Sequence, residues 1–107
     1  PPNPSLVATL TAEDTPLRYT AAIAGDELTL TRVAGTDADP GKDYELWIII
    51  GDNAPVSLGL LREGTTTIPA PGAEAGYILA VTLEPKGGGP GGKPTGPVVA
   101  AGPLQSS

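Results

Sequence analysis

The side chains able to do chemistry in this chain are carboxylates, hydroxyls and a run of glycines, because its 107 residues include no histidine and no cysteine. Without histidine the commonest general base and the commonest transition-metal ligand are missing. Without cysteine there is no disulfide and no thiolate nucleophile, and the redox compartment leaves no mark on the sequence. Ser5, Ser57, Ser106 and Ser107 have no imidazole to activate them, so a Ser-His-Asp arrangement is impossible. Paired carboxylates can hydrolyse glycosides. Glu45 and Glu84 lie in strand-like segments, but a chain this short has little material to frame a sugar cleft. Asp37, Asp39 and Asp43 cluster as oxygen ligands for calcium would, yet the segment lacks the fixed spacing and distal Glu of an EF-hand loop. Glu13-Asp14 reads as a solvated turn. The glycine-rich stretch has no Lys-Ser/Thr ending and no helical pattern after it, which excludes a phosphate-binding P-loop. The residues therefore point to a protein with no catalytic residues, no cofactor and no metal of its own.

Charge narrows the partners further. The net charge is −6, and the six Lys and Arg residues are scattered. Nucleic-acid binding needs a basic patch that displaces counterions from phosphates, so nucleic acid is not an expected partner. The longest strongly apolar run, residues 46–50, is far too short to span a bilayer. No signal peptide is visible. The chain opens on Pro1-Pro2-Asn3-Pro4 without Met, which reads as a fragment whose targeting or membrane segment lies upstream.

The elements that position these side chains read as strands. One domain over residues 1–107 is expected, with residues 1–4 as a tether and 105–107 as a frayed terminus. The apolar residues are mostly Leu, Ile, Val and Ala; there is no Phe or Met, and Trp47, Tyr19, Tyr44 and Tyr77 are the aromatics. Such a core suits strands better than helices. Eight short segments carry a strand pattern, at residues 6–11, 17–23, 27–33, 44–50, 56–60, 65–68, 77–83 and 98–101. Gly25-Asp26 between two of them predicts a type II′ hairpin. Residues 44–50 are apolar on both faces, as in a central strand covered on both sides. The fold class expected is all-β, a small antiparallel β-sandwich, with a small barrel as the neighbouring solution. Trp47 reads as a side chain packed on the outer face of its strand or under a loop rather than as an interface anchor. Of the 28 Gly and Pro residues (15 plus 13), ten fall within residues 85–97, which marks one long special loop.

Three stretches in order carry a family resemblance. They are Tyr44-Glu45-Leu46-Trp47-Ile48-Ile49, then Pro55-Val56-Ser57-Leu58-Gly59-Leu60-Leu61, then Leu79-Ala80-Val81-Thr82-Leu83-Glu84-Pro85, running on through Gly87-Gly88, Pro94-Thr95-Gly96-Pro97 and Val98-Val99. Together they resemble the C-terminal domain of the anti-sigma-K factor family, closely over residues 44–104 and more loosely over 1–43. The resemblance implies a longer protein. Its cytoplasmic N-terminal domain would hold an alternative sigma factor inactive, a single transmembrane helix would follow, and a domain like this one would lie outside the bacterial plasma membrane. Regulated proteolysis then frees the sigma factor. On this reading the sigma factor is bound by the cytoplasmic part and not by this chain. A membrane-associated protease or an envelope signal is the partner of this end. The alternative from a different class is a module that binds a cell-envelope ligand such as a glycan or peptide.

The resemblance includes the loop, and this sets a specific expectation. A stretch so rich in glycine loses much backbone entropy on ordering, so something must hold it if it is ordered. Glu84 ends the cleanest alternating strand, just before the loop. Its carboxylate is placed to accept hydrogen bonds from amides of Gly87, Gly88, Thr95 or Gly96, and such charge-assisted bonds are strong. The other reading leaves Glu84 facing solvent beside a mobile loop.

Overall fold

The computed structural model describes residues 4–107, and the segment read as a tether therefore lies mostly outside the described residues. The period-2 geometry of a strand puts residues i and i+2 on one face, and the described residues form nine strands. They are β1 (Leu6–Thr11), β2 (Arg18–Ala24), β3 (Glu27–Ala34), β4 (Lys42–Ile49), β5 (Val56–Leu60), β6 (Thr65–Pro69), β7 (Ile78–Pro85), β8 (Val98–Pro103) and β9 (Gln105–Ser106). A single 3-10 turn, Pro90–Gly92, is the only helical element among the described residues. Every strand pairing is antiparallel, as expected for an all-β protein with short connections.

The strands follow the order β5-β4-β7-β8-β1-β2-β3-β6, with β9 also beside β1. The two layers expected of a sandwich are thus halves of one sheet. The halves are joined thinly: Thr11 opposite Ala101 is the one bridge between β1 and β8. At the other end of β1, Leu6 faces Ser106 and Val7 faces Gln105. The outermost strands, β5 and β6, are consecutive in the chain and joined by residues 61–64, so the sheet curls into a nearly closed, barrel-like form. One apolar cluster fills it, with Leu10, Tyr19, Ile23, Leu28 and Leu30 from one half and Leu46, Leu79, Val81 and Ala100 from the other. Removing this surface from water is the main drive to fold.

Two local expectations meet different outcomes. At the β2–β3 turn Gly25 has φ +62°, and no non-glycine residue among the described residues has positive φ. That excludes a type I′ turn and fits the type II′ geometry. The C-terminal residues, expected to fray, instead form β9. Leu104 is buried at 1% exposure and anchors them. The Ser107 amide then donates to the Ser5 carbonyl at 3.2 Å, which continues the ladder.

Candidate functional site

The strands β4 and β7 pair over their whole length, Lys42 with Pro85 through Ile49 with Ile78. Their inward side chains, Tyr44, Leu46 and Ile48 with Leu79, Val81 and Leu83, belong to the apolar cluster or pack against it. Period-2 alternation then sends Asp43, Glu45 and Trp47, with Ala80, Thr82 and Glu84, to the opposite face. On an open sheet that face would meet water. Here Asp43 and Glu45 are each 6% exposed, Trp47 1% and Glu84 0%. A face carrying three buried carboxylates needs partners for all of them.

The glycine-rich loop, residues 86–97, supplies them with backbone amides. The Thr95 amide lies 3.1 and 3.2 Å from the two Glu84 carboxylate oxygens, and the Gly96 amide 3.3 Å from both. The Thr95 hydroxyl donates to the same group at 2.8 Å. From below, the Thr82 hydroxyl donates to Glu84 at 2.5 Å while accepting from Trp47 Nε1 at 2.8 Å. The Gly89 amide donates to Glu45 Oε1 at 2.7 Å, and the Ser57 hydroxyl of β5 takes the other oxygen at 2.5 Å. The Gly87 amide donates to Asp43 Oδ2 at 2.9 Å. Asp43 is also gripped by Arg62, whose Nε and Nη2 lie 3.1 and 3.0 Å from its two oxygens. This fork-to-fork pairing is the strong form of an Arg–carboxylate contact.

Of the four amides the sequence offers to Glu84 as alternatives, Thr95 and Gly96 reach it and the other two go elsewhere. Gly87 donates to Asp43, and the Gly88 amide closes a turn onto the Pro85 carbonyl at 2.9 Å. The cause is the path of the chain. After Pro85 it crosses toward β4, where the Lys86 amide meets the Gly41 carbonyl at 3.1 Å. Only on its return does it pass over Glu84. Glycine is required on that return: a Cβ on Gly96 would sit 1.7 Å from the Leu83 carbonyl oxygen. Of the family-motif residues, Tyr44 and Leu46 face the apolar cluster, while others fall around the same site. Ser57 touches Glu45, and Gly59 stands at the register shift where β5 passes Leu46 and Trp47. Pro97 offers its carbonyl to the Leu83 amide at 3.1 Å.

The electrostatics follow from these contacts. Burial pushes the Glu84 pKa up and is the largest single influence. Hydrogen bonds from Thr82, Thr95 and Gly96 together outweigh it and hold the group below the ordinary glutamate value. Asp43 is held below its ordinary value first by the Arg62 hydrogen bonds and then by the Gly87 amide. Asp37 and Asp39 do not join this cluster. Asp37 is exposed and paired with Arg32 at 2.6 Å, and no group of three potential metal-ligating side chains occurs among the described residues. The polar atoms of the site point at one another, so what the arrangement does is bind the protein's own loop.

Asp43, Glu45, Arg62 and Thr82 were not singled out for this role by sequence. The available signal was charge at alternate positions, 43 and 45, in a strand otherwise apolar from Tyr44 to Ile49. A carboxylate there must be paired or exposed. The comparison with known families gives one result: the family model described as "Anti-sigma-K factor rskA, C-terminal" matches residues 1–98. No curated protein and no solved structure matches the chain.

Proposed function

We propose that this chain, which belongs to the anti-sigma-K factor C-terminal family, is the extracytoplasmic regulatory domain of a membrane-bound anti-sigma factor and governs proteolytic release of its sigma factor. The family is regulatory, and an anti-sigma role follows from membership. The observation that carries the reading is that the match spans residues 1–98 of 107, which takes in β1 to β7 and the glycine-rich loop. The location, the membrane tether and the proteolysis are proposals that rest on the resemblance. The fold supports them in one physical respect. A protease needs an extended, locally opened backbone, and β1, the first strand after the N-terminal segment, lies between β2 on one side and β8 and β9 on the other. A folded domain thus withholds its own N-terminal chain. No helix among the described residues is long and apolar enough to cross a membrane; on the reading from the resemblance, the sigma factor and the membrane are engaged by other parts of the protein.

The test is made in cells with the full-length protein. Deleting residues 1–107 is expected to change anti-sigma turnover and sigma-dependent transcription under resting or inducing conditions. Normal turnover and normal induction after the deletion would contradict the regulatory role.

A further inference from the structure

The loop is held by its amides and not by burial. None of residues 86–97 is itself buried, although the stretch carries six glycines and three prolines. Yet amides at Gly87, Gly89, Thr95 and Gly96 all end on carboxylates. The loop therefore owes its order to the charge beneath it. Below it lies an apolar strip: Pro94 and Gly96 of the loop line the same small hollow as Trp47, Ile49, Ala80 and Val98.

We infer that loop 86–97 is an acid-released latch: protonating the buried carboxylates that hold its amides, Glu84 and Asp43, frees it from the outer face of β4 and β7 and uncovers Trp47.

The geometry makes the proton disruptive. A protonated carboxyl becomes a donor and needs an acceptor. Around Glu84 the loop presents the Thr95 and Gly96 amides, which only donate and lose their charged acceptor, and the Thr95 hydroxyl, which must turn round to accept the new proton. Thr82, from β7 itself, donates its hydroxyl proton to Glu84 while accepting from Trp47, so a proton on Glu84 forces that hydroxyl to turn away. Glu45 faces the Ser57 hydroxyl from β5 and the Gly89 amide from the loop. Asp43 faces Arg62 from the link after β5 and feels Lys86 at the start of the loop. Lys42 and Asp37 share the crevice beside it. These cations resist protonation of Asp43, whereas no cation is among the hydrogen-bond partners of Glu84, so Glu84 is the group expected to release first. Loss of charge weakens each bond by about half. The inward faces of the same strands carry no carboxylate in the core cluster, so acid leaves the apolar core untouched while it loosens the loop.

The latch stands on this geometry alone; its meaning as a proton signal to a sigma factor rests on the regulatory reading above. Trp47 is the single tryptophan, so acrylamide quenching of its fluorescence reads the latch directly. The chain is titrated from about pH 7 to about pH 3, with far-UV circular dichroism following the sheet. The quenching constant is expected to rise severalfold at a pH where the sheet signal is still intact. In Glu84→Gln and in Glu45→Gln that rise should move to higher pH. Trp47 staying shielded until the sheet itself melts overturns the latch, as does an unchanged midpoint in folded variants. Should both variants fail to fold, the wild-type titration decides by itself. Because it uses no sigma factor and no cells, its failure is distinct from failure of the regulatory role.

Discussion

The two faces of the β4–β7 pair are almost equally buried and are held by different physics. Inward, Leu46, Leu79 and Val81, each 0% exposed, lie in an apolar cluster. Outward, Glu84 at 0% and Trp47 at 1% lie under a loop. The inner face gains from removing apolar surface from water, a non-directional effect indifferent to pH. The outer face depends on oriented donors meeting carboxylates, so each atom has a designated partner and a proton can cancel it. Burial on its own does not separate a core from a clasp. The other half of the sheet sharpens the contrast: on its outer face Thr9 and Thr20 are exposed and no loop covers them.

Substitutions should separate the faces. The largest effect belongs inside. Leu46→Ala removes a fully buried side chain and is expected to lower stability by about 2–5 kcal/mol, with Trp47 shielding and sheet signal lost in one transition on urea denaturation. On the outer face Glu84→Gln should cost about 1–3 kcal/mol and loosen the loop, so that Trp47 becomes quenchable before the sheet melts. If this variant matched Leu46→Ala in losing everything at once, the two faces would form one cooperative unit and the contrast would fail. Ser57→Ala removes one donor from Glu45 and should cost about 1 kcal/mol, read as a small fall in the urea midpoint.

Acid and alkali should act on different faces. Glu84 and Asp43 are held below their ordinary values in the folded protein. Their stabilisation is therefore complete above about pH 5 and lost as the pH falls through the lowered values. Tyr19, on the inner side, is pushed up to about 12 by burial first and by neighbouring Tyr44 second. Its contribution is full below the ordinary tyrosine value near 10 and lost as the pH rises from there toward 12. Thermal melts across both ranges, with Trp47 quenching recorded alongside, should show loop release only on the acid side.

Much of this organisation was legible from residue order. The eight apolar segments became β1 to β8 because alternation is a local signal, written within each strand. β9 was not legible: Gln105-Ser106 has no apolar alternation, and its pairing depends on Leu104 reaching the core. Glu84 stood out because it is a charge ending a clean strand at the mouth of a special loop. Asp43 and Glu45 stayed hidden because their partners are distant. Gly87 and Gly89 lie 44 positions away, Arg62 lies 19 positions from Asp43, and Ser57 lies 12 from Glu45. Nothing in a strand's own pattern says which amides will arrive over it.

The most direct measurement of the clasp is amide hydrogen exchange at neutral pH, resolved residue by residue. Gly87, Gly89, Thr95 and Gly96 donate to carboxylates, whereas Gly91, in the same loop, sits at the exposed turn Pro90–Gly92. The account predicts that those four amides are protected well above Gly91 and approach the strand amides of β7. Uniformly fast exchange through residues 86–97, with β4 and β7 still protected, would contradict it.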